Sequence, residues 1–197
     1  MPNSSSTGGY LVPTTGTMPN YDDALEDIFQ GAIVGITGLA GDLVRPRFQP
    51  EPPNHPDFMV TWISFSVAPI AQDTFTYEPH KPLVDTDGSD EVQRDEFLEL
   101  YLSAYGPGCA AVLGQFCAGI SLQQNRVVLQ SYGIKLIDPG KYVYLPALLK
   151  EKYVKRIDIK SRWARRNTIT YPIRSVADAT VIVNTDDPFT TTITVSP

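Results

Sequence analysis

Carboxylate pairs and a thiol are the residues in this chain whose types and spacing first suggest chemistry. Asp85 and Asp87 form an Asp-x-Asp, and Asp186 and Asp187 stand together before Pro188. Paired acids can hold a divalent cation or divide acid and base roles in a hydrolysis. Both pairs lie in polar, loop-like sequence without a nearby histidine, so they read as solvated loop carboxylates. Cys109 follows Gly106-Pro107-Gly108 at an expected helix start, where the positive helix end would lower its pKa and favour nucleophilic attack. His55 and His80 are isolated, and neither is placed to activate that sulfur or to share a metal with it. Cys117 lies about 12 Å further along the same helix axis, too far for a disulfide. Two packed thiols are the expectation. Ser64, Ser66, Ser103 and Ser131 lack a nucleophile-elbow pattern. The glycines of Gly35–Gly41 follow a helix and lack the Lys-Ser/Thr ending of a phosphate loop. These readings predict no enzyme, no cofactor and no metal.

The charges are more informative. The chain is acidic overall, at -6, yet eight of its sixteen Lys and Arg residues fall between Lys150 and Arg166. Upstream, Asp85, Asp87, Asp90, Glu91, Asp95, Glu96 and Glu99 crowd a single interval. Such opposite-sign blocks can align across strands or between copies of the chain, where they contribute register more than affinity. The candidate interface residues are therefore Lys155, Arg156, Lys160, Arg162, Trp163, Arg165 and Arg166 on the basic side. Asp90, Glu91, Asp95 and Glu96 answer them on the acidic side. Lys160, Arg162, Arg165 and Arg166 have a second reading as phosphate contacts, although the acidic balance argues against general nucleic-acid binding. Trp163 reads as a core or interface anchor rather than a base-stacking platform.

The elements that must position these residues follow from period and punctuation. From Lys150 to Tyr171, Tyr153, Ile157, Ile159, Trp163, Ile169 and Tyr171 alternate with Arg156, Asp158, Lys160, Arg162 and Arg166. A period of two marks a strand with one buried face. This strand is long enough to be expected to project beyond its own sheet, with Ile173–Asn184 returning beside it as a long C-terminal β-hairpin. Earlier, Asn20 is a candidate cap for a helix carrying Leu25, Ile28, Phe29, Ala32, Ile33, Ile36 and Leu39, ended by Gly38 and Gly41. Arg45 begins a short extended piece, and Phe58–Val67 is a central strand limited by Pro69. Asp73–Tyr77 is a candidate hairpin partner, and Glu78–Asp90 a polar connection. Val92–Ala104 reads as a strand, the segment Gly106–Ser121 as a short helix with Cys109, Val112, Leu113, Phe116, Cys117 and Ile120 available for packing, and Val127–Ile137 as extended; Tyr142–Tyr153 is an apolar excursion of open structure. The fold expected is α+β, a mostly antiparallel sheet with helices packed on one face. Residues 1–19 form a flexible arm, 20–184 a single domain, and 185–197 a polar tail. No run reaches transmembrane length, and the amino terminus lacks the basic start and apolar run of a signal peptide, so intracellular synthesis is expected.

Three segments resemble the phage neck and tail terminator (tail completion) proteins, the leptospiral-prophage-like family. The first is the amino-terminal helix leading into GLAGDLVRPRFQPEPPN; the second is QRDEFLELYLSAYGPGCAAVLGQF; the third and strongest is RIDIKSRWARRNTITYPIRSVADATV. The resemblance implies a structural virion protein, a homohexameric ring in the tail or neck assembled in the host cytoplasm. Such a ring caps the tail tube and joins it to the head–tail connector or adaptor, with the tail sheath as a further candidate partner. Genomic DNA passes through the lumen without specific recognition, and no membrane is involved. The arm and the segment after Asn184 depart from the family pattern. Other readings are a DNA-contacting connector or adaptor, another tail ring subunit of the tube or baseplate, and more distantly a hydrolase.

Overall fold

Leu25, Phe29 and Ile33 recur every four residues and are buried along one side of helix α1 (Asp22–Thr37). The helix stops at Gly38, whose φ of 70° lies in the left-handed region and whose N–H reaches the Val34 carbonyl. Its cap is Tyr21, not the expected Asn20, and it has no side-chain cap hydrogen bond. Asn20 instead gives its backbone carbonyl to the Arg165 guanidinium.

The computed structural model describes residues 9–51, 53–83, 86–149, 152–173, 179–183 and 191–195. Two further helices are α2 (Cys109–Ile120) and α3 (Gln123–Gln130). The strands are β1 (Val44–Pro46), β2 (Trp62–Gln72), β3 (His80–Leu83), β4 (Thr86–Tyr105), β5 (Ile134–Asp138), β6 (Val143–Tyr144), β7 (Ala147–Leu149), β8 (Lys152–Val154), β9 (Arg156–Pro172), β10 (Ala179–Val183) and β11 (Thr191–Val195). The fold is mixed α+β. A seven-stranded sheet runs β1-β2-β4-β9-β5, with β3 also on β4 and β6 also on β9; β7–β8 and β10–β11 form separate antiparallel pairs. Within the large sheet β1–β2 is parallel, while β2–β4, β3–β4, β5–β9 and β6–β9 are antiparallel.

The chain divides into two units, one of residues 20–75 and 94–167, the other drawing on 1–19, 76–93 and 168–197. The first holds the core. Ile63 and Phe65 of β2, Leu98, Leu100 and Leu102 of β4, and Ile157, Ile159 and Trp163 of β9 pack with Phe29, Leu113, Phe116 and Leu129 of the helices. Trp163 meets Phe29 edge-to-face, with ring centroids 5.4 Å apart. In the second unit, Thr14 N–H donates to the Thr170 carbonyl, Thr170 N–H donates to Thr17 Oγ1, and Ile173 N–H donates to the Gly88 carbonyl. Residues 1–8 of the expected arm, and 185–190, 196 and 197 of the expected tail, lie outside the described residues.

Several expectations are corrected. Pro69 does not end β2, which continues to Gln72 across a register shift between Pro69 and Ala71. β1 covers only Ile63–Phe65, so Pro69 sits on an edge where its missing N–H costs no ladder bond. Asp73–Tyr77 does not return on β2, whose antiparallel partner is β4; His80–Leu83 pairs with β4 instead, and the polar residues from Thr86 onward are strand. Val127–Gln130 is helical rather than extended. Its β-branched Val127 and Val128 are exposed, and burial of Leu129 decides the element. β9 is an interior strand in the first unit, flanked by β4 on one side and by β5 and β6 on the other. Of the expected return strand Ile173–Asn184, Ala179–Val183 pairs with Thr191–Val195, and residues 174–178 and 184 lie outside the described residues.

Candidate functional site

The acidic and basic blocks lie on adjacent strands of one chain. Successive pairs climb β9 as they descend β4: Lys160 with Glu99 at 2.9 Å, Arg165 with Glu96 at 2.6 Å, and Arg166 with Asp95 at 2.8 Å. That opposed order is the mark of antiparallel neighbours. In the unit containing residues 76–93, Asp90 pairs with His80 at 2.9 Å, and Glu91 pairs with Lys81, both across β3 and β4.

Strand parity sorts these charges into two environments. Arg165 has the parity of Trp163 and points inward, where it is 3 % exposed and Glu96 is 0 % exposed. Glu96 also accepts from Gln72 Nε2 at 3.0 Å, Tyr21 OH at 3.1 Å and Asn167 Nδ2 at 3.2 Å. The guanidinium lies 4.4 Å from the centre of the Tyr21 ring. Burial pushes the Glu96 carboxyl up, but the bonds from Gln72, Arg165 and Asn167 and the Arg165 charge outweigh it and leave the pKa below the ordinary range. Burial, with the Glu96 charge second, pushes the Tyr21 phenol up. Arg166 and Lys160 point to the opposite, exposed face. Arg166 grips Asp95 through two nitrogens and holds that carboxyl low. Lys160 and the Tyr101 hydroxyl both bond to Glu99, with the Tyr101 bond the larger influence in lowering its pKa.

Trp163, Arg165 and Glu96, expected as interface residues, are thus consumed by the chain's own interior. Of the expected interface residues, those left exposed on β9 are Lys160, Arg162 and Arg166, joined by Lys155 just before it. Arg156 is half-buried, paired with Asp158 at 2.7 Å and lying over the Tyr105 ring.

The sheet face opposite the helices carries residues that the sequence reading did not single out. Trp62 stacks on its cross-strand partner Tyr105 at 4.4 Å, and Arg45 lies over the Trp62 ring. Arg47 donates to Ser103 Oγ at 2.8 Å. A cavity of about 260 Å³ opens there, lined by Arg47, Tyr101, Ser103, Lys141, Asp158 and Lys160 among others. Three cations to one acid make it electropositive. No sequence signal joins Arg47 and Lys141, because only the pairing of β2, β4, β9 and β6 brings their segments together. A second cavity, of about 350 Å³, lies between the start of α2 and the 144–146 loop, lined by Cys109, Tyr144, Pro146 and Lys155 among others.

Among the described residues the catalytic candidates do not assemble. Cys109 is buried, and no histidine lines the cavity beside it. His55 tilts against Trp62, and His80 pairs with Asp90. Cys109 and Cys117 are both free thiols in α2. Among the described residues no cluster of His, Cys, Asp or Glu could hold a metal, and no helix is long and apolar enough to cross a membrane. Asp85, Asp186 and Asp187 lie outside the described residues.

Comparison with known proteins places this arrangement. A family model described as phage neck terminator protein matches residues 23–187. That span runs from the first turn of α1 past β10, and it includes all three segments whose resemblance was noted in the sequence. Among curated proteins, no match is found.

Proposed function

Since the chain belongs to the phage neck terminator family, with a terminator role at the neck of a phage tail and a place in the virion, we propose that it is a ring-forming subunit. In this reading the ring is a homohexamer that caps the tail tube and joins it to the head–tail connector, leaving a lumen for the genome. The family match carries the reading. Three structural facts agree with it. The acidic and basic blocks neutralise each other along β4 and β9, so much of the basic strand is already paired and poorly disposed to grip passing DNA. Among the described residues, Cys109 has no histidine lining the cavity beside it, and His55 and His80 are engaged elsewhere. The domain of residues 20–75 and 94–167 carries helices on one sheet face and an aromatic, cationic surface on the other. Two unlike faces are what a heterologous contact requires if it is to close into a ring.

The test is the mass of the purified full-length chain by light scattering across concentration, alone and with purified tail tubes, followed by electron microscopy. Closed rings of about six copies, or rings seated on tube ends, are expected. A chain that stays monomeric and leaves tube ends bare overturns the proposal.

A further inference from the structure

The electropositive cavity opposite the helices and the acidic start of α1 are complementary, and among the described residues neither is fully paired. The first turn carries Asp22 and Asp23, the next adds Glu26 and Asp27, and among the described residues none of the four forms an ion pair. Burial, and then the charges of Asp23, Asp27 and Asp22, push the Glu26 carboxyl up, as expected of crowded acids without a counter-charge. In the cavity, Lys160 is taken by Glu99, but Arg47 meets only the Ser103 hydroxyl and Lys141 pairs with no acid among the described residues.

The two surfaces cannot meet in one copy. α1 packs in the helix layer, on the Leu98, Leu100 and Leu102 side of the sheet, whereas the cavity lies on the other side, beside Tyr101 and Ser103. Their places along the sheet differ as well. Tyr21, at the start of α1, bonds to Glu96, five positions along β4 from Tyr101, a separation of roughly 16 Å. Complementary charges on opposite faces of one domain invite a head-to-tail contact, which repeats without using up either surface.

We propose that the cavity lined by Arg47, Lys141 and Lys160 receives the acidic start of α1 from a second copy of this chain. The inference rests on the ring-subunit reading and adds to it the pair of surfaces that join one subunit to the next. The contact is salt-sensitive, because its charges are exposed until the copies meet.

The experiment uses the full-length chain in analytical ultracentrifugation, at salt from about 50 mM to about 500 mM. Lys141→Glu reverses the unpaired cation, and Asp23→Lys with Asp27→Lys reverses the helix start. Each set should weaken self-association at least about tenfold, since like charges brought together cost more than the free energy of a tenfold change. Combining the two sets should restore association, which a general loss of folding would not allow; thermal melts confirm that each variant is folded. If the wild-type chain forms rings and neither set weakens them, or if the combined variant is no better than its parents, the inference falls while the ring-subunit reading stands. If the wild-type chain forms no rings and does not cap tubes, both fall. If it retains a short DNA duplex that Lys141→Glu releases, with self-association unchanged, the cavity belongs to phosphate and the inference is overturned.

Discussion

Replacing Arg165 with Ala should be among the most damaging single changes on β9, and its effect should depend on pH in a characteristic way. The substitution leaves the Glu96 carboxylate fully buried, with hydrogen bonds from Gln72, Tyr21 and Asn167 but no counter-charge. Removing one partner of a buried ion pair costs about 3–5 kcal/mol. The guanidinium's place over Tyr21 adds to the loss, and the remaining hydrogen bonds offset part of it. A net loss near 4 kcal/mol corresponds to a fall in melting midpoint on the order of 10 °C for a chain of this size. The sign with pH is set by Glu96. In the wild type its folded pKa is depressed, so its contribution is present above the unfolded value of about 4.3 and is lost as pH falls through the folded value. In the variant, burial without Arg165 raises the carboxyl, and protonating it removes the unpaired charge. The deficit relative to wild type should therefore shrink as pH drops from neutrality toward 4. Urea unfolding followed by circular dichroism at several pH values measures this. Replacing both Arg165 and Glu96 with Met should recover most of the loss, because an apolar pair carries no buried charge. A deficit below about 1 kcal/mol at pH 7, or one that grows on acidification, would refute the reasoning.

Arg166→Ala removes the neighbouring ion pair on the exposed face, where solvent screens it, so the melting midpoint should stay close to wild type in a thermal melt. Trp163→Ala should cost roughly 3–5 kcal/mol in urea unfolding and remove much of the near-ultraviolet signal, since the ring is buried against Phe29. Gly140→Ala should destabilise by about 1–3 kcal/mol, because its φ is 85° and a Cβ there would meet the Lys160 carbonyl oxygen at 2.1 Å; equal stability in urea would contradict it.

The legible parts of the fold were those in which one local pattern dominates. Ile157, Ile159 and Trp163 alternate cleanly with Asp158, Lys160 and Arg162, and β9 follows them. Gly38 had the sequence of a stop and acts as one. α2 lay where Gly106-Pro107-Gly108 promised a start. The sequence misled wherever a long-range partner decides. His80–Leu83 looks like a loop because its strand character comes from β4, through His80–Asp90 and Lys81–Glu91. Val127 and Val128 favour a strand by their branching, yet they face solvent on a helix while Leu129 packs. Of the candidate site, the meeting of the acidic and basic blocks was legible. Their division between a buried and an exposed layer was not, because Arg165 breaks the polar-out pattern and only a facing Glu96 makes that tolerable. The cavity of Arg47, Lys141 and Lys160 was invisible, since it draws single residues from distant segments.

The buried Glu96–Arg165 pair also bears on how β4 and β9 find each other among wrong alignments. Apolar alternation penalises a slip of one position, which would turn Trp163 and Ile159 to solvent. It is nearly blind to a slip of two, which keeps every apolar residue facing inward. A slip of two would set Arg165 against leucine in one direction and Glu96 against tryptophan in the other, burying each charge alone. The pair therefore proofreads the even-numbered errors that the hydrophobic pattern lets pass. Its apolar replacement should keep most of the wild-type stability while folding into a mixture of alignments, visible as doubled backbone resonances along β9.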